Sequence, residues 1–73
     1  MVGERYRLNT PTLAIMTLPN EKPIPVTIPQ GALIRVVADQ LHGTGFVSVK
    51  WDGKTVMMFT SDLRERGTRS EQL

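Results

Sequence analysis

The sequence predicts a single small all-β domain, a strongly bent barrel of five or six short strands. Three observations predict it. Short runs rich in β-branched residues recur along the 73 residues, separated by Gly, Pro and Asn-Glu turns. No window holds a 3.6-residue apolar period of helical length. The stretch FVSVKWDGKTVMMF, from Phe46 to Phe59, alternates apolar and polar residues, turns at Asp52-Gly53 and alternates again.

Each run can be justified in order. RYRLN and TLAIMTL are strands divided at Thr10-Pro11, and LPNEKP is a turn. IPVTI points Ile24, Val26 and Ile28 inward, and Pro25 makes it an edge or an only partly paired strand, because proline cannot donate to a ladder. PQG at 29–31 reads as a type I turn with Pro29 second and Gly31 fourth. ALIRVVA places Ile34 and Val36 on one face and Leu33, Arg35 and Val37 on the other. DQLHGTG is a polar loop in which His42 is a solvated side chain.

The hairpin register follows from the faces. A two-residue type I′ turn at Asp52-Gly53 pairs Trp51 with Lys54, Val49 with Val56, Val47 with Met58 and Phe46 with Phe59. A three-residue loop would mix apolar and polar positions on both sides, so the apolar pattern selects the shorter one. One face is then Val47, Val49, Val56 and Met58, with Trp51 over the stem of Lys54. The other carries Phe46, Ser48, Lys50, Thr55, Met57 and Phe59. TSDLRERG closes the hairpin with a short 3₁₀ turn near 61–66, capped by Ser61 or Asp62, with Glu65 at capping-box spacing from Asp62. Leu63 plugs the core and Gly67 ends the turn.

This order of parts resembles an SH3-like (Src-homology-3-like) small barrel, of the kind found as free-standing small bacterial proteins. VTIPQGALIRVV is similar to the family's strand after its long first loop, TGFVSVKW to the next strand, and FTSDLRE stands at the family's 3₁₀ turn. The resemblance spans residues 26–66 and implies one SH3-like barrel domain over 5–66; MVGE (1–4) and GTRSEQL (67–73) are polar and lack periodicity, so a loose N-terminus and a flexible tail are expected. At the family's peptide site, Phe46 falls at the ligand-stacking tryptophan, with Thr60, Asp62 and Leu63 at its proline, asparagine and tyrosine. A polyproline groove needs several aromatic ridges, which these residues do not form. VMMF followed by DLRERG is also similar in layout to the plasmid-type (type II) dihydrofolate reductases, small barrels that associate around one pore. Val56 matches their signature strand, while Met57 and Phe59 stand at its glutamine and tyrosine. That resemblance implies self-association and, as a third functional reading, a pore-type oligomeric reductase.

The composition narrows the chemistry. There is no cysteine and one histidine, so disulfides and thiolate metal sites are excluded, and neither a metal site nor a cofactor is expected. A domain this short buries only about 60% of its unfolded surface, so a tight core or self-association must stabilise it. Asp39, Asp52, Asp62 and Glu65 fall in turns or caps, where turn chemistry explains them better than acid–base catalysis. The chain reads as cytoplasmic, with no membrane partner.

Two surface readings remain. Met57 and Phe59 share a face with Phe46 opposite the core face, so these three residues are the expected interface with a second copy or a protein partner. This makes a non-catalytic, self-associating interaction module the preferred function. Nucleic-acid binding through Arg35, Lys50, Lys54 and Arg64 is the alternative. Glu4, Asp52, Asp62 and Glu65 are interleaved with these bases along the chain, and with nine basic against seven acidic residues, solvated surface charge is the simpler explanation.

Overall fold

The computed structural model describes residues 2–38 and 45–70. The expectations for Asp39 and His42 lie outside these residues. Seven strands and one helix follow in chain order: β1 (Arg5–Leu8), β2 (Thr12–Met16), β3 (Ile24–Ile28), β4 (Leu33–Ala38), β5 (Phe46–Trp51), β6 (Lys54–Phe59), α1 (Thr60–Arg66) and β7 (Gly67–Ser70). All pair antiparallel in one sheet of order β3-β2-β6-β5-β4-β1-β7.

The β5–β6 hairpin has the register that its apolar pattern selects, from Phe46 opposite Phe59 to Trp51 opposite Lys54. Asp52 and Gly53 both have positive φ, 51° and 75°. That is the signature of a type I′ turn, whose twist matches the flanking strands. The Lys54 ammonium lies 5.3 Å from the centre of the Trp51 ring.

Ten apolar side chains from β1 to β6 and α1 form one buried core: Leu8, Ala14, Ile28, Ile34, Val36, Val47, Val49, Val56, Met58 and Leu63. Strands lie about 4.8 Å apart, so a flat sheet would hold Leu8 on β1 and Ile28 on β3 about 24 Å from each other. Their shared cluster requires the sheet to curl around a single interior. An extra residue, Val37, between the Val36–Val49 and Ala38–Ser48 pairs supplies part of the bend. The curl stops short of a closed barrel: among the described residues, β3 and β7 are free edges that no ladder joins. Pro25 stands on one of those edges, as its missing donor demands.

Four details differ from the sequence-based expectation. There are seven strands rather than five or six, because residues 67–70, expected in a flexible tail, pair with β1 along its whole length. GTRS has no apolar alternation to announce a strand. Its ladder is a backbone pairing, pinned by Arg69 to Glu4 at 3.3 Å and by Asn9 Nδ2 donating to Thr68 Oγ1 at 2.9 Å.

The segment after β6 is a seven-residue α-helix instead of a 3₁₀ turn. Its N-cap is Phe59, without a side-chain bond, rather than Ser61 or Asp62. Thr60 N–H donates instead to the Gly45 carbonyl at 2.8 Å. Asp62 sits in the first turn, where the helix dipole favours a carboxylate, and pairs with Arg66 at 3.5 Å. Leu63 is buried in the core as expected.

The turn before β4 is framed one residue later. Ala32 N–H donates to Pro29 C=O at 3.2 Å, so Gly31 is the third residue, and its φ of +84° explains the glycine.

Candidate functional site

The sheet's inner face is occupied by the core, so chemistry with other molecules falls to its outer face and rims. Strand alternation fixes what the outer face displays. On β1, Tyr6 and Leu8 point to the core, which turns Arg5 and Arg7 outward. On β4, Ile34 and Val36 are buried and Leu33 and Arg35 exposed. On β5 and β6, the outward residues are Phe46, Ser48, Lys50, Thr55, Met57 and Phe59.

One half of this face is apolar. The Phe46 and Phe59 rings stack at 4.7 Å with 28° between their planes. Phe59 remains 44% exposed, while Phe46 and Met57 are half-buried. Met57 stands directly opposite Ile15 on β2. Leu13, two residues before Ile15 and so on the same face, is 53% exposed on the Phe59 side of that pair. Leu13 and Ile15 extend the expected set of Phe46, Met57 and Phe59. Sequence reasoning missed them because the β2–β6 pairing joins residues far apart in the chain.

The other half is cationic. The registers of three adjacent strands place Arg5 opposite Arg35, and Arg35 opposite Lys50. Arg7 stands one pleat away on β1, opposite Leu33. Arg5, Leu33, Ile34, Arg35 and Lys50 line a shallow depression of about 390 Å³. Like charges directly opposite one another repel across a sheet.

The structure separates the four expected nucleic-acid contacts. Arg35 and Lys50 meet in the row. Lys54 is at the hairpin tip, paired with Asp52 at 3.8 Å, and Arg64 is on α1. The interleaving of acids and bases along the chain does not survive folding. Glu4 accepts a hydrogen bond from Tyr6 at 3.0 Å and pairs with Arg69, Asp52 pairs with Lys54, and Asp62 pairs with Arg66. Glu65 is on α1. No carboxylate among the described residues lies on the strands of the outer face.

Burial, reinforced by its bond to Glu4, raises the Tyr6 phenol above its ordinary value. The Glu4–Tyr6–Arg69 chain ties β1 to β7 and has no nucleophile–base geometry. No three metal-ligating side chains come together among the described residues, and no helix there is long and apolar enough to cross a membrane. Comparison with known protein families, curated proteins and solved structures finds no match to this chain.

Proposed function

We propose that the protein is a non-catalytic interaction module that self-associates through the apolar half of its outer sheet face. One observation carries the reading. Leu13, Ile15, Phe46, Met57 and Phe59 are neighbours across β2, β6 and β5, on the side of the sheet away from a complete core. The core does not need these side chains, and water is a poor environment for them, at about 25 cal/mol per Å² of apolar surface left exposed. A second copy of the chain is the fitting cover. The patch contains no charge, so an identical patch can close on it about a two-fold axis without desolvating an ion. The cationic row begins at Lys50, about 7 Å along β5 from the Ser48–Met57 pair and about 13 Å from Phe46, on the far side of the patch from the stacked rings.

The test is the native mass by sedimentation, across the micromolar to millimolar range, for wild type and Phe59→Lys. Wild type should associate. The variant should be monomeric with its β-sheet circular dichroism intact, since loss of a central aromatic anchor costs an interface on the order of 2 kcal/mol or more. A monomeric wild type throughout that range refutes self-association. An unfolded variant would show that Phe59 supports the core rather than a contact.

A further inference from the structure

We infer that Met57 is an oxidation site, and that its conversion to the sulfoxide by hydrogen peroxide dissociates the self-associated protein. This control rests on the apolar half of the outer face being the contact between copies, and it adds a chemical switch to that contact.

The chain has no cysteine and four methionines, so a thioether is the sulfur that a two-electron oxidant meets. The strands give their methionines different surroundings. Met58 is 1% exposed, within the core. Met16 has the strand parity of Thr12 and Ala14, both buried, and packs against the core. Met57 is half-buried on the opposite side of β6 from Val56 and Met58.

The place of Met57 in the patch gives its oxidation leverage. It stands opposite Ile15 on β2 and opposite Ser48 on β5. Phe59, two residues on, shares its face and stacks its ring on that of Phe46 at 4.7 Å. Met57 is therefore on the middle strand of the patch, between Ile15 on one side and the β5 strand of Phe46 on the other. A second copy that covers the patch must pass over it.

The thioether suits that contact, because it is apolar, flexible and adapts to irregular surfaces. The sulfoxide does not. Its oxygen is a polar acceptor, and Leu13, Ile15, Phe46 and Phe59 carry no side-chain donor for it. Even with the Ser48 hydroxyl donating to it, the oxygen sets a polar group where the two copies meet dry. A two-fold contact brings in one sulfoxide from each copy.

The step balances without a further reactant. A lone pair of the Met57 sulfur attacks one peroxide oxygen, and the S–O bond forms as the O–O bond breaks. Sulfur gives up two electrons. The departing hydroxide takes the proton of the transferred oxygen and leaves as water. Association and oxidation oppose each other, because a second copy covers the sulfur and peroxide reaches it in the monomer.

The experiment treats intact wild type with hydrogen peroxide, maps sulfoxides by peptide mass spectrometry and measures native mass by sedimentation. Circular dichroism checks the fold at each step. Met57 should oxidise ahead of Met58, and its rate should fall severalfold as protein concentration rises through the association range. Protein carrying the Met57 sulfoxide should associate about tenfold or more weakly, with its β signal intact. Methionine sulfoxide reductases should restore the untreated mass. Met57→Leu keeps the apolar volume, so it should associate as wild type does and stay associated after the same treatment. Met16→Leu should still dissociate.

The untreated sample decides the reading beneath: a monomer at every concentration refutes self-association, and this control falls with it. If wild type associates and its Met57 sulfoxide associates equally well, the oxidation control alone is overturned. Dissociation of Met57→Leu by peroxide would assign the effect to another methionine and overturn it too. So would loss of the β signal on oxidation of Met57, which would make that side chain a support of the core.

Discussion

Gly67→Ala should destabilise the protein by about 2–3 kcal/mol, from one close approach. Gly67 joins α1 to β7 with an ordinary extended φ of −109°, so backbone strain is not the reason for a glycine there. The reason is space. A Cβ at this position would lie 2.7 Å from the Leu63 carbonyl oxygen and 3.4 Å from Cδ2 of Tyr6. A carbon and an oxygen are normally about 3.3 Å apart or more, so the shortfall is about 0.6 Å against backbone, which cannot rotate away.

The Gly67 N–H donates to that same carbonyl. Moving the oxygen therefore strains the bond that ends the helix, worth about 1 kcal/mol, and pulls on Leu63, a core residue. Overpacking of this kind adds about 1–3 kcal/mol. In a domain of this size each kcal/mol shifts the melting temperature by about 4–8 °C, so a fall of about 10–20 °C is expected. Thermal and urea unfolding followed by circular dichroism measure it. A variant within about 0.5 kcal/mol of wild type, the range of neutral surface changes, would refute the steric argument.

Two further perturbations test other elements. Gly53→Val meets no atom within 4 Å but places a β-branched residue at φ +75°, and should cost about 1–3 kcal/mol by the same unfolding assay; an unchanged midpoint would count against the type I′ turn. Tyr6 is the only tyrosine, so tyrosinate absorbance reports it alone, and its titration midpoint should lie above 10.0. Because the fold favours the neutral phenol, the stability it adds is complete below the ordinary value and is lost as pH rises through the folded one. Glu4→Gln should lower the midpoint partway, since burial, the largest cause, remains; no movement would discount the Glu4 contact.

What could be read from the sequence was local. The β5–β6 pairing is fixed by a two-residue turn and the alternation beside it, both within fourteen consecutive residues. The edge position of β3 follows from Pro25, a residue that carries its own constraint. The position of α1 was legible from its short polar run and Leu63, but its length and cap depended on the Gly45 carbonyl, which another part of the chain supplies. Strand β7 was illegible because its pairing is made by the backbone of β1. The site was half legible for the same reason. Phe46, Met57 and Phe59 share a face by hairpin arithmetic, whereas the Arg5–Arg35–Lys50 row needs the β1–β4 register, set between residues about thirty apart.

The pairing of β1 with β7 also sets an order of events during folding. It joins Arg5 to Ser70 and Leu8 to Gly67, the longest sequence separations in any ladder of the sheet. Contacts this distant must close a loop of nearly the whole chain, whose entropy cost is met before any contact energy returns. The β5–β6 hairpin closes across two residues and forms at the other extreme of that scale. Folding therefore proceeds outward from the hairpin, and the β1–β7 ladder, which brings in β7, is the last to close. In the native state β7 is an edge strand held by this one ladder, so it opens at low cost and its amides will exchange fast. Arg5, the first residue of the cationic row, sits on the strand that β7 covers, so opening of β7 bares the β1 backbone beside it while Arg35 and Lys50 stay within the sheet.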